Sequence, residues 1–509
     1  MGGRVRKSLL NARVNLIFYF LSLFFSFFSR KIFLDCLGAD FIGLTGTLGN
    51  ILGYLNLAEL GVGAAISFFL FKPILNNDRG QINEILSVFG FLYRKIGEVI
   101  LAVGLLISLF FPFIFHKSDI GMGIVYFSFF SFLGSSLVGY FINYRQILLA
   151  ADQKNYLVSI YFQSAGLIKI AIQIYLVYTF RNLYLWITIE FVFSVLACIV
   201  LNRRIDREYP WLKTNMREGK VLLKKYPEIL KNARQIFIHK IKDFLLTRSD
   251  EIFIFAFVSL KMVAYYGNYT IIITKLSMLF SSIFDGIAAG VGNLVAENKK
   301  ENTMKVFWEL MSIRHFIAGF MFVSLYFLME PFIALWLGAE YILDKSILLL
   351  LLVYMYIMQS RNVVDMFNHA YGLYADTWSA WVELVLNVGI TVGAGMKYGI
   401  AGILMGKIIS IFLIVVLWKP YYLFSKGLRV SLTVYWKGVL RYYLIFFGSF
   451  MITSIVARIL PLNPYDNMGT FLGYAIIVVG SYLIFNLSLL YLCTYGMKDV
   501  VVRLKRIKK

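Results

Sequence analysis

The chain has 509 residues, 60% of them apolar and 15% charged, against roughly 45–50% and 25% in soluble domains. With a mean hydropathy of +0.74, this balance excludes a water-soluble domain and predicts an all-α polytopic membrane protein. The net charge of +22, which in a soluble protein would suggest nucleic acid, here reads as a topology and anionic-lipid signal, so no nucleic-acid partner is expected.

Apolar runs of about 20 residues, the length that crosses a bilayer core, predict about fourteen spans. They fall near 13–33, 42–71, 91–115, 121–142, 157–180, 183–202, 236–259, 268–295, 311–334, 346–370, 377–396, 399–421, 437–460 and 470–495. Membrane strands would be shorter and would alternate. Arg4, Arg6 and Lys7 ahead of the first run resemble a signal sequence. No small-residue cleavage site follows that run, which ends at Ser29-Arg30-Lys31, so the segment reads as a retained first span.

With the N-terminus inside, about 35 of the Lys and Arg residues fall at inner ends and loops and about 8 at outer ones, which sets the orientation with both termini cytoplasmic. The longest polar stretch, Arg203 to Arg234, reads as an amphipathic inner-surface connector. The second part of the chain opens as the first does. Ala12-Arg13, a span with Arg30 and a long span with Gly49-x-x-x-Gly53 and Gly61-x-Gly63 are echoed by Ala233-Arg234, a span with Arg248 and a long span with Gly286-x-x-x-Gly290-x-Gly292. An offset of six spans gives parallel repeats about an axis along the membrane normal. The same glycines also serve ordinary close helix packing, and both readings stand. The domain plan is a six-helix lobe over 1–202, a basic cytoplasmic connector over 203–235, a second lobe over 236–421, and two further helices with a basic tail over 422–509.

No predicted outer loop exceeds about a dozen residues, too short for an extracytoplasmic catalytic domain. No nucleotide, hydrolase or metal motif is present, the four histidines are scattered, and Cys36, Cys198 and Cys493 lie too far apart in sequence to form a framework. The reading is therefore not an enzyme, with no cofactor and no metal.

Ionisable residues inside spans cost a few kcal/mol each on insertion scales, so they mark cavities or partners. The cations are Arg30, Lys31, Lys169, Lys240, Lys242, Arg248, Lys275, Arg361 and Lys407. The acids are Glu59, Glu190, Asp243, Asp250, Glu251, Asp285, Asp365 and Glu383. Lys240 and Lys242 have a snorkelling reading, and Arg361 with Asp365 reads as an i,i+4 pair. Arg30, Arg248 and Lys275 are the deepest cations. A cavity role stands for them beside structural pairing such as Arg248 with Asp250 or Glu251.

Arg30-Lys31, Leu37-Gly38-Ala39, Gly43-Leu44, Asn50-Ile51-Leu52, the run from Ala58-Glu59-Leu60-Gly61 to Ile66, and Lys72-Pro73 together resemble the start of the bacterial polysaccharide transporters that flip lipid-linked oligosaccharide units. Asp250-Glu251-Ile252-Phe253-Ile254, Tyr266-Gly267-Asn268-Tyr269 and Gly292-Asn293-Leu294 agree. That family belongs to the multidrug/oligosaccharidyl-lipid/polysaccharide exporter superfamily, with the lipid II flippase and the multidrug antiporters. The resemblance implies two six-helix lobes around a central cavity, two added C-terminal helices, alternating access and a bacterial inner-membrane location. It also implies a polyprenyl-diphosphate oligosaccharide substrate for capsule, O-antigen or exopolysaccharide assembly, with a polysaccharide polymerase and a chain-length regulator as partners. Arg30 matches a cavity arginine of the lipid II flippase one residue out of register, and Glu59 lies in a shared Ala-Glu pair. That flippase's other cavity arginines have no clean match.

Fixed guanidiniums suit a diphosphate because they bind phosphate oxygens in pairs and keep their charge, which favours Arg30 and Arg248, with Lys275, as anchors. Glu59 reads either as a titrating coupling group or as a permanent counter-charge, with Asp285 and Glu383 next. The alternatives are a multidrug or metabolite antiporter of the same superfamily and, from another class, a membrane glycan polymerase or glycosyltransferase.

Overall fold

The computed structural model describes residues 2–59, 62–116, 120–231, 233–234, 237, 249–296, 299–373 and 376–507. Arg248, Lys240, Lys242 and Asp243 lie outside these residues, and so does the side chain of Asp285. All regular structure among the described residues is helical. Nine of these helices are long and apolar enough to cross a membrane, so the chain is the multi-pass helical protein that its composition demands.

Two compact units emerge, Met1–Ala264 and Tyr265–Lys509. The first contains α1 (Gly2–Leu37), α2 (Ala39–Leu55), α3 (Val62–Leu75), α4 (Arg79–Ser108), α5 (Met122–Phe141), α6 (Asn155–Phe180), α7 (Leu183–Glu208) and the short α8 (Asp250–Phe257). Within it α1 packs along α6, α6 along α7, α7 along α5, α5 along α4 and α4 along α3. Chain punctuation follows local chemistry. The Asp78 carboxylate caps α4 by accepting from the Gln81 amide at 2.9 Å, and the Asn182 side chain caps α7 by accepting from Leu185 at 3.2 Å.

One difference from the sequence reading matters for function. The single span expected over 42–71 is broken: α2 ends at Leu55, a tight turn runs from Asn56 to Glu59, and α3 starts at Val62. Asn56, Gly61 and Gly63 are weak helix formers in an otherwise strongly apolar run. At membrane depth such a break is tolerated where it is buried in protein or lines a cavity.

The 203–234 connector does not float. Its backbone is held along α4 by the Lys213 amide on Asn83 Oδ1 at 2.9 Å and the Asn215 amide on Ser87 Oγ at 2.9 Å. Gly219 sits where a Cβ would come 2.5 Å from the Ser87 carbonyl oxygen. Lys225 donates to Glu84 at 2.7 and 2.9 Å, and Tyr226 joins it at 2.5 Å. The Lys225 hydrogen bond, with that from Tyr226, holds the Glu84 carboxyl below its ordinary range.

The second unit begins within α9 (Leu260–Ala296) and continues with α10 (Lys300–Trp336), α11 (Lys345–Ala370), α12 (Thr377–Ile411), α13 (Leu432–Ile459), α14 (Met468–Cys493) and α15 (Tyr495–Ile507). α10 is its core and packs against α11, α14 and α15. The two spans expected at 377–396 and 399–421 form a helical hairpin that reverses at Gly399, whose φ of 57° and ψ of −133° suit only glycine. Its arms meet closely. A Cβ on Gly402 would stand 2.1 Å from the Ala394 carbonyl oxygen, and one on Gly406 would stand 2.5 Å from Thr391 Oγ1.

Candidate functional site

Within the first unit three helices present one face each to a common pocket of about 500 Å³. α2 contributes Thr45, Gly49 and Gly53, each four residues from the last and so on one face. α5 contributes Phe132 and Ser136, and α7 contributes Trp186 and Glu190, again at four-residue spacing. No atom lies within 4 Å of where a Cβ on Gly49 would stand. This glycine therefore opens space rather than closing a helix contact. Gly43, on the same helix, does the reverse: a Cβ there would fall 1.9 Å from the Leu260 carbonyl oxygen, and close packing is the whole explanation of it.

The pocket wall is charged at one place. Glu190 accepts from Lys169 at 2.5 Å and from Gln173 at 3.1 Å, and the same Gln173 amide reaches the Trp186 carbonyl at 3.1 Å. These residues pair across α6 and α7, so the two intramembrane charges neutralise each other while one carboxylate edge stays at the pocket. The i,i+4 pair of Arg361 with Asp365 is also present, at 3.4 Å.

At the end of α2 the pocket passes into the break. Asn56 lines it, and its Oδ1 accepts from Ser136 Oγ at 3.0 Å and lies 3.1 Å from the Tyr140 hydroxyl. That hydroxyl is 2.7 Å from one oxygen of Glu59, and the other oxygen accepts from Tyr93. A phenol has one proton, and the shorter contact takes it. Glu59 thus sits half-buried at the end of a single 3-10 turn between α2 and α3, with two phenolic donors on its carboxyl group and a chain of hydroxyl and amide groups leading to the pocket. Among the described residues its hydrogen-bond partners are these two tyrosines. Nothing in the local pattern around Glu59 flags Tyr93 or Tyr140, because both come from other helices.

The Arg30 guanidinium, half-buried near the end of α1, donates to the Ala264 carbonyl oxygen at 3.0 Å. In the same unit, Asn50 donates to Glu251 at 2.6 Å. Lys275 is half-buried on α9. Glu383 is 3% exposed on the first arm of the α12 hairpin, and Lys407, 6% exposed, places its ammonium 4.8 Å from the centre of the Tyr354 ring.

The structure adds a buried cation that the sequence reading did not single out. Arg314 is 1% exposed, donating to Gln359 at 3.2 Å and Asn362 at 3.1 Å. It reads as peripheral when the ninth span starts at 311, but α10 starts at Lys300, which puts Arg314 four turns into the helix. Neighbouring His315 stacks on Tyr442 with ring centres 4.8 Å apart and is hydrogen-bonded to the Tyr356 hydroxyl at 3.0 Å. Among the described residues no group of His, Cys, Asp and Glu is placed to hold a metal.

No protein-family model matches the chain, and no curated protein matches it in sequence. Solved structures do. The chain is similar to the lipid II flippase MurJ in its inward closed conformation, with a TM-score of 0.66 and 16% identity over 97% of this chain and 100% of that one. It is also similar to an inward-facing multidrug resistance MATE family transporter of the MOP superfamily, with a TM-score of 0.59 and 15% identity over 83% of this chain and 98% of that one. At such identities the likeness establishes architecture, and the chain has the helical fold that these two proteins share.

Proposed function

We propose that the protein is a flippase that carries polyprenyl-diphosphate-linked oligosaccharide units across the bacterial inner membrane by alternating access, for capsule, O-antigen or exopolysaccharide assembly. The observation that carries this reading is end-to-end likeness to a lipid II flippase, over 97% of this chain and all of that one. The intramembrane cations supply the chemistry. A diphosphate crossing hydrocarbon needs fixed positive charge, and Arg30, Arg248 and Lys275 are the anchors in this proposal. The polyprenyl tail stays in lipid, so no catalytic group and no cofactor is needed. Both termini and the 203–235 connector are cytoplasmic, the lobes span 1–202 and 236–421, and residues 422–509 supply two further helices. A polymerase and a chain-length regulator receive the product.

The test is export in cells and flipping in reconstituted vesicles. Arg30→Gln is expected to abolish glycan export at unchanged protein abundance, with lipid-linked units accumulating on the inner leaflet. Arg30→Lys should retain part of the activity, since it keeps the charge but loses the fork. Full export by Arg30→Gln overturns the anchor role.

A second reading, a cation- or proton-coupled antiporter, is favoured by one observation: Glu59 and its two tyrosines adjoin a pocket inside the first unit. The same vesicles separate the two. An antiporter moves a soluble drug or metabolite against a proton or cation gradient and leaves a lipid-linked oligosaccharide where it is.

A further inference from the structure

A second, smaller pocket of about 270 Å³ lies within the second unit, at the edge where α13 begins, α14 ends and α15 begins. Its floor is Trp308, stacked against Tyr442 with ring centres 6.3 Å apart. Two glycines make room for Trp308: a Cβ on Gly438 would fall 2.1 Å from its ring, and one on Gly496 would fall 2.2 Å from its backbone carbonyl oxygen. Lys437 and Arg441, one helical turn apart on α13, line the same pocket.

The charges are distributed unevenly. Two other cations at this edge are paired, Lys305 with Asp499 at 3.1 Å and Arg503 with Glu309 at 2.8 Å, and Lys498 lies 5.8 Å from the centre of the Tyr495 ring. Lys437 and Arg441 are exposed and make no ion pair with a described residue. From the same helix an apolar stripe runs away from the pocket. Leu440, Leu444, Phe447 and Met451 are 57%, 63%, 59% and 62% exposed, at the spacing of one helical face. A site with two cations over an aromatic floor, continued by an exposed aliphatic track, matches a molecule with a phosphate at one end and acyl chains at the other.

We propose that this pocket binds the headgroup phosphate of an anionic phospholipid, with the Arg441 guanidinium and the Lys437 ammonium on the phosphate oxygens and an acyl chain along Leu440, Leu444 and Phe447. The site shares no residue with the anchors proposed above and does not depend on which substrate is carried. Its role is to fix the membrane depth of α13 and α15.

Native mass spectrometry of the full chain, released from detergent with phosphatidylglycerol or phosphatidylcholine added, tests the assignment. The wild type should retain phosphatidylglycerol preferentially, and Lys437→Gln/Arg441→Gln should weaken that retention about 25-fold, about fivefold for each charge. Lys437→Arg/Arg441→Lys should bind within a few-fold of wild type. Both residues are exposed, so the variants should melt with the wild type in phosphatidylcholine micelles, which separates loss of the site from loss of the fold. Equal retention by wild type and double Gln variant overturns the proposal. Competition by soluble glycerol phosphate as strong as by the lipid overturns the lipid assignment, because the apolar track would then contribute nothing.

Discussion

Replacing Tyr140 with Phe removes the hydroxyl that stands 2.7 Å from Glu59 and 3.1 Å from Asn56. A hydrogen bond to a charged acceptor contributes about 1.5–3 kcal/mol, and one between neutral groups about 1. The Glu59 site is only partly buried, so the lower end applies, and Tyr140→Phe should cost about 1.5 kcal/mol. Tyr93→Phe should cost about the same. Because Glu59→Gln and Tyr140→Phe break one shared bond, the double variant should lose less than the summed singles by about 1 kcal/mol or more. Tyr140→Phe combined with Arg503→Gln, which shares no partner with it, should add to within about 0.5 kcal/mol. Equilibrium unfolding of purified protein in mixed micelles, followed by tryptophan fluorescence, measures all of these. Additivity of Glu59→Gln with both tyrosine changes would refute the network. In vesicles, a coupling role predicts that Glu59→Gln removes any pH or cation dependence of flipping. A permanent counter-charge predicts slower flipping with that dependence intact, and that outcome moves the search to Asp285 and Glu383.

A cysteine placed at Lys225 should stay unlabelled by an impermeant reagent in whole cells and react once the membrane is opened; labelling from outside would reverse the proposed topology. Gly402→Val should destabilise the protein by about 2 kcal/mol or more, because the new side chain meets backbone rather than a movable side chain, whereas Gly49→Ala should leave the melting temperature unchanged and slow transport by narrowing the pocket. Burial pushes the Asp376 carboxyl up, but the Lys419 ammonium at 2.8 Å, with the Trp418 indole and the Ser379 hydroxyl, outweighs it and holds the group below its ordinary 3.8. A depressed carboxyl stabilises the fold above its unfolded value and loses that contribution as pH falls through the folded one. The stability gap between wild type and Asp376→Asn should therefore be full at pH 7 and close only as the pH falls below about 3.8, as read by thermal melts across pH.

Composition and apolar run length were enough to give the helical class, because burying a backbone in lipid leaves few options. The i,i+4 pair at Arg361 and Asp365 was legible for the same reason: its geometry is local. The break at Asn56–Glu59 was not, because its apolar content passes for continuous helix, and what marks it is tertiary, namely Tyr93 and Tyr140 arriving from α4 and α5 to satisfy Glu59. Arg314 was passed over because the polar first turns of α10 look like a loop, and only the fold shows the residue buried. The glycines of α2 show the limit most plainly. Gly43 and Gly49 are alike in sequence, yet one is pressed against a carbonyl and the other faces open space.

The hairpin at Gly399 has a consequence for biogenesis. Each arm is about 20 residues, or about 30 Å of helix, enough for one bilayer crossing. Between them lies no polar loop to translocate, only a tip in which Met396 and Tyr398 are exposed beside Lys397. The turn cannot form until glycine adopts its unusual conformation, and neither arm can pack on the other before it does. The contacts that Gly402 and Gly406 make with the first arm exist only once the second arm has been made and the turn has formed, so until then the first arm lacks this partner.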